Sequence, residues 1–191
     1  CMPPRTGARA SSKAARGRSF REVTPAPLVF LLGSDEYQAA RSFGSVREQM
    51  RATTADVEVT RFAAANYQVG ELLLSSSPSL FGGPSLIEFH GLERMNEDTQ
   101  KDLTAYVANP DPDVVVVAHH GGGTRGKGLM DALKAKALVI DCAPLKKDAE
   151  KVEFVQAEFS AAKRKVAPDA ARELVSAVGS GGTLAGVAAG L

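Results

Sequence analysis

The sequence has no tryptophan and only two cysteines among its 191 residues. Two cysteines are too few for a disulfide-stabilised scaffold or a cysteine-rich zinc module. Aromatic residues make up 6% of the chain, which disfavours a surface that stacks nucleic-acid bases. No apolar run approaches the roughly 18 residues of a membrane-spanning helix. The composition therefore excludes these classes, and we expect no membrane partner.

What is present is typical of a globular protein, with 44% hydrophobic and 24% charged residues. The formal net charge of +1 hides an asymmetry. Residues 1–24 hold six Lys or Arg and one acidic residue, whereas the rest holds 17 basic and 21 acidic residues. Because residues 1–24, the head of the chain, show no apolar periodicity, we predict a disordered basic segment over residues 1–26. A contact with nucleic acid and a targeting role stay open for it.

Short apolar segments alternate with helical periodicity over residues 27–143. The predicted strands cover 28–32, 57–62, 85–89, 114–118 and 137–142, and the predicted helices cover 35–51, 66–74, 97–107 and 128–136. Ser34 or Asp35 would cap the first helix, and Asn66 would cap the second. This alternation predicts an α/β domain, a doubly wound parallel sheet covered by helices on both faces.

From residue 144 onward the pattern is helical only. A long helix is predicted over residues 146–165, with Val152, Val155 and Phe159 on its buried face. Pro168 would open a second helix that ends near residue 178. We therefore predict a small helical domain over residues 144–191.

A glycine-rich segment follows the predicted strand 114–118. Gly121, Gly126 and Lys127 fit the pattern G-x-x-x-x-G-K of a phosphate-binding loop. The eighth position is Gly128, which lacks the hydroxyl group that holds Mg²⁺ in such loops. Three interpretations stay open: a flexible basic loop, a P-loop-like NTPase site over residues 121–128, and a contact of Arg125 and Lys127 with phosphate groups of DNA.

The pattern of the other reactive side chains, two histidines and a cysteine, indicates neither a metal site nor a catalytic site. His119 and His120 are adjacent on a predicted strand, so they point to opposite faces and cannot chelate one metal ion. Cys142 ends a strand and is expected to be a buried apolar residue. We predict no metal site and no catalytic residue.

The segment 75–84 is rich in serine, glycine and proline, yet it contains Leu80 and Phe81. Because loops lie on the surface, these two side chains either turn back into the core or contact a partner.

Five segments occur along the chain in an order that is typical of one protein family. They are LVFLLGSDEY at 28–37, SLF at 79–81, DVVVVA at 113–118, VIDCAPL at 139–145 and APDAA at 167–171. Together with the basic loop at 125–127, they resemble the delta subunits of bacterial DNA polymerase III clamp loaders over about residues 27–179. The resemblance implies an AAA+-like first domain without a functional P-loop and a helical lid. The turn at 33–37 agrees, since it has no lysine to reach a phosphate.

The resemblance also implies a function without intrinsic ATP hydrolysis and without a cofactor. Leu80 and Phe81 would enter a pocket of the sliding clamp, the beta subunit, and favour its opening for loading onto primed DNA. Pro78 lies where the family often has another apolar contact residue. Other loader subunits would be partners, and primer–template DNA an indirect one. DNA polymerase (nucleotidyltransferase) activity would belong to the holoenzyme only, in the bacterial cytoplasm at the nucleoid.

The same family carries a third domain, a collar that builds the loader ring. This sequence ends before that domain, and its last residues depart from the family pattern. We therefore expect a truncated or altered product.

Overall fold

A computed structural model describes residues 16–18, 25–77 and 83–178 of the chain. Its six strands are β1 (Arg16–Arg18), β2 (Leu28–Leu32), β3 (Glu58–Ala63), β4 (Ser85–His90), β5 (Val114–His120) and β6 (Leu138–Asp141). Its helices are α1 (Glu36–Thr53), α2 (Glu71–Ser75), α3 (Glu97–Ala108), α4 (Lys127–Lys136), α5 (Asp148–Ala161) and α6 (Pro168–Val178). A 3₁₀ helix, Leu92–Arg94, follows β4.

The strands form one parallel sheet in the order β1-β6-β2-β5-β4-β3. The central strand β2 pairs with β5 on one side and with β6 on the other, so Phe30 lies between Ala118 and Val139. Buried parallel strands are apolar on both faces, which explains the continuous run Leu28–Leu32. The predicted α/β doubly wound sheet is confirmed.

Helices cover both faces of this sheet. On one face, Val29 and Leu31 of β2 share an apolar cluster with Phe43 and Val46 of α1. On the other face, residues of α3 and α4 pack with Phe30. Side chains that alternate along a strand point to opposite faces, and each face of β2 therefore has its own core.

The helix α1 begins where the sequence predicts it. The Asp35 carboxylate accepts a hydrogen bond from the Gln38 backbone N–H at 3.1 Å, so Asp35 rather than Ser34 is the N-cap. At the other end of the chain, α5 and α6 pack on each other around Phe154, Val155 and Val175. The predicted face of α5 packs into this cluster, with Val155 buried and Val152 and Phe159 partly buried, and the fully buried Phe154 extends it.

The α5–α6 pair contacts α1 through a few polar and aromatic groups. The Tyr37 hydroxyl donates to the Glu158 carboxylate at 2.9 Å, and Arg41 forms an ion pair with the same carboxylate. Burial, followed by the hydrogen bond to Glu158, raises the pKa of Tyr37 to about 12. The Tyr37 ring also meets the Phe154 ring edge-on, with 5.9 Å between the centroids. The boundary predicted at residue 144 stays a prediction.

Two sequence predictions need correction. Arg16–Arg18 forms a strand that pairs with β6, although the head was predicted to be disordered; the rest of residues 1–24 lies outside the described part. Asn66 does not cap a helix, because α2 starts only at Glu71, after Gly70. The intervening residues turn instead, and this turn buries the Tyr67 ring against Phe62 and Phe89.

Candidate functional site

The carboxyl ends of the parallel strands meet at one edge of the sheet, where ligands of such folds usually bind. The turn after β2 occupies the position next to β5 and β6. The Gly33 N–H donates to the His120 carbonyl at 3.1 Å. A Cβ atom on Gly33 would overlap the backbone of Cys142 and Ala143. The chain itself therefore fills the space against this turn.

The N-terminus of α1 at this edge is also occupied. The Gln38 side-chain amide donates to the second Asp35 oxygen at 2.8 Å and to the Ala143 carbonyl at 3.0 Å. Gln38 is 1% exposed, so this link between α1 and the segment after β6 is internal. Because Asp35 already places a negative charge at the helix N-terminus, a phosphate there would be repelled.

The glycine-rich loop after β5 is bound by the segment after β4. The Gly121 N–H donates to the Glu93 carboxylate at 2.7 Å, and the Gly122 N–H donates to His120 Nδ1 at 3.0 Å. Burial would raise the pKa of Glu93, but backbone hydrogen bonds, that from Gly121 foremost, and nearby positive charge together lower it. A carboxylate of the same chain thus takes the first amide that a phosphate would need.

The two cations of this loop have different surroundings. Arg125 Nε donates to the Met95 carbonyl at 2.7 Å, while the residue as a whole is exposed. Lys127 is the exposed first residue of α4. Gly126 has a φ of 66°, and a Cβ atom there would overlap the Met95 side chain. Both cations face solvent near a helix N-terminus, and their contact with DNA stays a prediction.

The histidines and the cysteine are engaged in the fold. His119 Nε2 lies 2.9 Å from the Gly33 carbonyl, whereas His120 Nε2 lies 3.1 Å from the Arg125 carbonyl. The two rings therefore have separate partners. Cys142 is fully buried, as the sequence predicts. Within the described residues, no group of three or more His, Cys, Asp or Glu side chains is arranged to hold a metal ion.

The residues predicted to contact the clamp, Pro78, Leu80 and Phe81, lie outside the described residues. The flanking chain is described on both sides. Before this segment, α2 ends at Ser75, and the Ser76 N–H donates to the Leu72 carbonyl at 2.9 Å. After it, β4 starts at Ser85, at the amino edge of the sheet.

The start of α2 is fixed by a hydrogen-bond network around Tyr67 and Asp102. The Tyr67 hydroxyl donates to Asp102 of α3 at 2.8 Å and accepts from the Leu72 N–H at 2.9 Å. The Gly70 N–H donates to the same Asp102 oxygen at 2.7 Å. Burial raises the pKa of Tyr67, so its hydroxyl stays protonated and remains a donor.

The sequence interpretation missed one charged cluster. Glu88 on β4 is fully buried, with Arg47 Nε at 3.0 Å and Arg61 Nε at 3.1 Å from its oxygens. His90 Nε2 lies 3.2 Å from the Glu88 carboxylate, and its ring stacks on Phe43. Burial would raise the pKa of Glu88, but the hydrogen bond from His90 and the charge of Arg47 lower it. The sequence does contain a signal for this cluster, because Glu88 is a single carboxylate within the otherwise apolar core of β4.

Comparisons with known proteins identify the fold of this chain but do not assign it to a family. No protein-family model and no curated protein matches the sequence. Among solved structures, the chain is similar to the Bacillus subtilis DNA clamp loader delta protein (YqeN), with a TM-score of 0.58 and 17% identity over 78% of this chain and 47% of that one. The chain thus spans about half the length of that protein.

Two further similarities are weaker. The Thermotoga maritima RuvB branch migration motor matches with a TM-score of 0.42 and 16% identity over 77% of this chain and 47% of that one. A chain of the Escherichia coli MS115-1 HORMA:CdnC:Trip13 complex matches with a TM-score of 0.43 and 16% identity. This match covers 81% of the present chain and 60% of that one. The similarity to the clamp loader delta protein, together with the strand order, shows that the fold is AAA+-like. No helix of the described residues is long and apolar enough to cross a membrane.

Proposed function

We propose that this chain acts as a delta subunit of a bacterial clamp loader, which binds the sliding clamp and favours its opening for loading onto primed DNA during replication. The observation that carries the proposal is the AAA+-like sheet shared with a clamp loader delta protein. The ordered motifs over residues 27–179 support the same assignment.

The closed turn after β2 supports a role without intrinsic ATP hydrolysis. Phosphate-binding loops offer free backbone N–H groups and a lysine. Here the Gly33 N–H is bound to His120, and Asp35 caps the helix that follows. The glycine-rich segment at 121–128 also has its first backbone N–H bound, to Glu93. These contacts disfavour the P-loop-like NTPase alternative.

In this proposal the clamp contact is made by Leu80 and Phe81, with Pro78 beside them. A clamp-opening protein acts by binding the open clamp more tightly than the closed one. Burial of two large apolar side chains in a pocket supplies the required affinity. Other loader subunits are partners, and exposed Arg125 and Lys127 are the candidates for contact with primer–template DNA.

The proposal places the chain in the bacterial cytoplasm, at the nucleoid with the replication machinery. It assigns DNA polymerase and transferase activity to the complete holoenzyme and not to this chain.

Calorimetric titration with the sliding clamp of the same organism tests the proposal. We expect saturable binding that the double substitution Leu80→Ala and Phe81→Ala abolishes, because each anchor contributes about 2 kcal/mol or more. Ala105→Gln, an exposed change on α3, is the matched control and should bind like the parent chain. Unchanged affinity in a double variant with a native circular dichroism spectrum would contradict the proposal.

A further inference from the structure

The glycine-rich loop at residues 121–126 folds around one side chain, that of His120. This residue ends β5 and is fully buried. Its Nδ1 accepts a hydrogen bond from the Gly122 N–H at 3.0 Å, and its Nε2 lies 3.1 Å from the Arg125 carbonyl oxygen. A single imidazole ring therefore binds the backbone near both ends of the loop.

These two contacts determine where the ring carries its proton. A ring nitrogen that accepts from an N–H group is unprotonated, so Nδ1 of His120 carries no proton. The Arg125 carbonyl can only accept, so the proton lies on Nε2. A second proton, on Nδ1, would point at the Gly122 N–H and break that hydrogen bond. The closed loop and a protonated His120 therefore exclude each other.

The loop has a second side-chain contact, which responds differently to pH. The Glu93 carboxylate accepts from the Gly121 N–H at 2.7 Å, and the pKa of Glu93 is lowered, foremost by that hydrogen bond against the effect of burial. Glu93 therefore stays ionised throughout the range in which histidines titrate. The other charged groups on the elements around His120 are Arg94 of the 3₁₀ helix, Arg125 of the loop, Lys127 and Asp131 of α4, and Asp141 of β6.

The other two histidines contact different groups. His119 alternates with His120 along β5 and points to the other face of the sheet. Its Nε2 lies 2.9 Å from the Gly33 carbonyl, a contact that a proton on Nδ1 leaves intact. His90 stacks on Phe43 of α1. Among the histidines, His120 is thus the one whose protonation conflicts with the closed loop.

The loop also has room to open. Gly122 and Gly123 have φ values of 123° and 96°, and within the described part of the chain no heavy atom beyond their neighbours lies within 4 Å of either Cβ position. Glycine moves between such backbone conformations at little steric cost. Opening would expose the His120 ring to water while β5 stays paired with β2 and β4.

We infer that His120 is a pH-sensitive switch, which keeps the loop 121–126 closed while it is neutral and releases the loop when it is protonated. Histidine is the side chain whose charge ordinarily changes between about pH 5 and 8. The open loop binds one proton more than the closed loop. Closure is therefore favoured at high pH and is lost as the pH falls, by up to about tenfold per pH unit.

The released segment includes Arg125, whose carbonyl is the acceptor for His120 and whose exposed side chain is a candidate for phosphate contact. The switch would therefore change how this cation is presented. The inference does not require the proposed function, because the switch belongs to the chain without any partner.

The test is NMR spectroscopy of the isotopically labelled full chain at about pH 8 and about pH 5, on either side of the ordinary histidine range. At the higher pH we expect the Nε2–H tautomer of His120, with the Gly121 and Gly122 amides both protected from hydrogen exchange relative to an unstructured peptide. At the lower pH the protection of Gly122 should fall about tenfold or more. Gly121, bound to the ionised Glu93, should keep its protection.

Two variants assign the titration to His120. In His120→Asn, the side-chain oxygen can accept from the Gly122 N–H but cannot take up a proton in this range, so Gly122 should be equally protected at both pH values. His119→Gln is the matched control, since its amide nitrogen can donate to the Gly33 carbonyl in place of Nε2. In this control Gly122 should lose protection in acid, as in the parent chain.

Three results would overturn the inference. They are an Nδ1–H tautomer of His120 at about pH 8, equal protection of Gly122 at both pH values in the parent chain, and a loss of Gly122 protection in acid that persists in His120→Asn or disappears in His119→Gln. The first two are measured on the parent chain and do not depend on whether a variant folds. None of them involves the sliding clamp, so the proposed function would stand.

Discussion

Glu88 is a fully buried carboxylate that has partners on three elements. Arg47 reaches it from α1, Arg61 from β3, and His90 from the end of its own strand. Removing one member of a buried charged group leaves the others without a partner, which costs more than the net gain from the intact group. The cluster therefore fixes how α1 sits on the β3–β4 side of the sheet.

Replacing Glu88 by Gln should destabilise the protein by about 1–3 kcal/mol at neutral pH, since charge-assisted hydrogen bonds are lost. The folded-state pKa of Glu88 is below its ordinary value of 4.5. Its stabilising contribution is therefore complete above pH 4.5 and disappears as the pH falls through the folded-state pKa. Urea denaturation of the parent chain and the variant should show a stability difference that shrinks in acid.

The exposed Glu58 on β3 provides the control for this experiment. Glu58→Gln should leave the free energy of unfolding almost unchanged at every pH. A stability difference for the Glu88 variant that is independent of pH would contradict the assigned charge balance.

At the scale of elements, two glycines in neighbouring segments have opposite requirements. Gly33, in the turn after β2, has a φ of 146° and no room for a Cβ atom. Gly44, within α1, has no heavy atom within 4 Å of the Cβ position. We expect Gly33→Ala to destabilise the protein by about 3 kcal/mol or more through overlap and strain. Gly44→Ala should stabilise it by about 0.5–1 kcal/mol through helix propensity.

Chemical denaturation of both alanine variants compares them directly. The opposite signs are the decisive result, because a general effect of adding a methyl group would shift both in the same direction. If Gly33→Ala had parent-like stability, Cys142 and Ala143 would not lie against that turn.

Elements with an unbroken apolar pattern were predictable from the sequence, and those fixed by distant contacts were not. The run Leu28–Leu32 and the spacing of Phe43, Val46 and Met50 directly predict β2 and α1. The strand β1, Arg-Gly-Arg, has no such pattern and forms through backbone pairing with β6. The start of α2 depends on the burial of Tyr67 and its contacts with distant residues. The neighbouring Asn66, a local signal for a helix cap, carries no information about those contacts.

The candidate site was predictable in its residue types but not in its contacts. The absence of a lysine after Gly33 and of a hydroxyl at Gly128 could be read directly. That Glu93 binds the Gly121 amide, and that Arg47 and Arg61 meet at Glu88, requires the fold, because these partners are far apart in the sequence. The clamp-contact residues Leu80 and Phe81 stay predictions, since they lie outside the described residues.

For the molecule as a whole, the turn after β2 and the glycine-rich loop after β5, both at the carboxyl edge of the sheet, have backbone N–H groups bound by the chain's own acceptors. A nucleotide bound to the native state at 100 times its Kd would stabilise it by about 2.7 kcal/mol, which raises the Tm by several degrees. We expect millimolar ATP with Mg²⁺ to leave the Tm within about 1 °C of its value without nucleotide. Differential scanning fluorimetry measures this, and a Tm that rises with ATP concentration would support the NTPase alternative.

The strand order has a consequence for the newborn chain. The strand Leu28–Leu32 lies at the centre of the sheet, yet both of its neighbours are encoded later, beginning at Val114 and Leu138. At a synthesis rate of about 5–20 residues per second, this apolar segment waits roughly 5–20 s on the ribosome before its second neighbour is made. Until β5 is made, β3 and β4 are the strands of the described sheet that can already pair. A buried apolar strand at the centre of the finished sheet is thus available to a nascent-chain chaperone for several seconds.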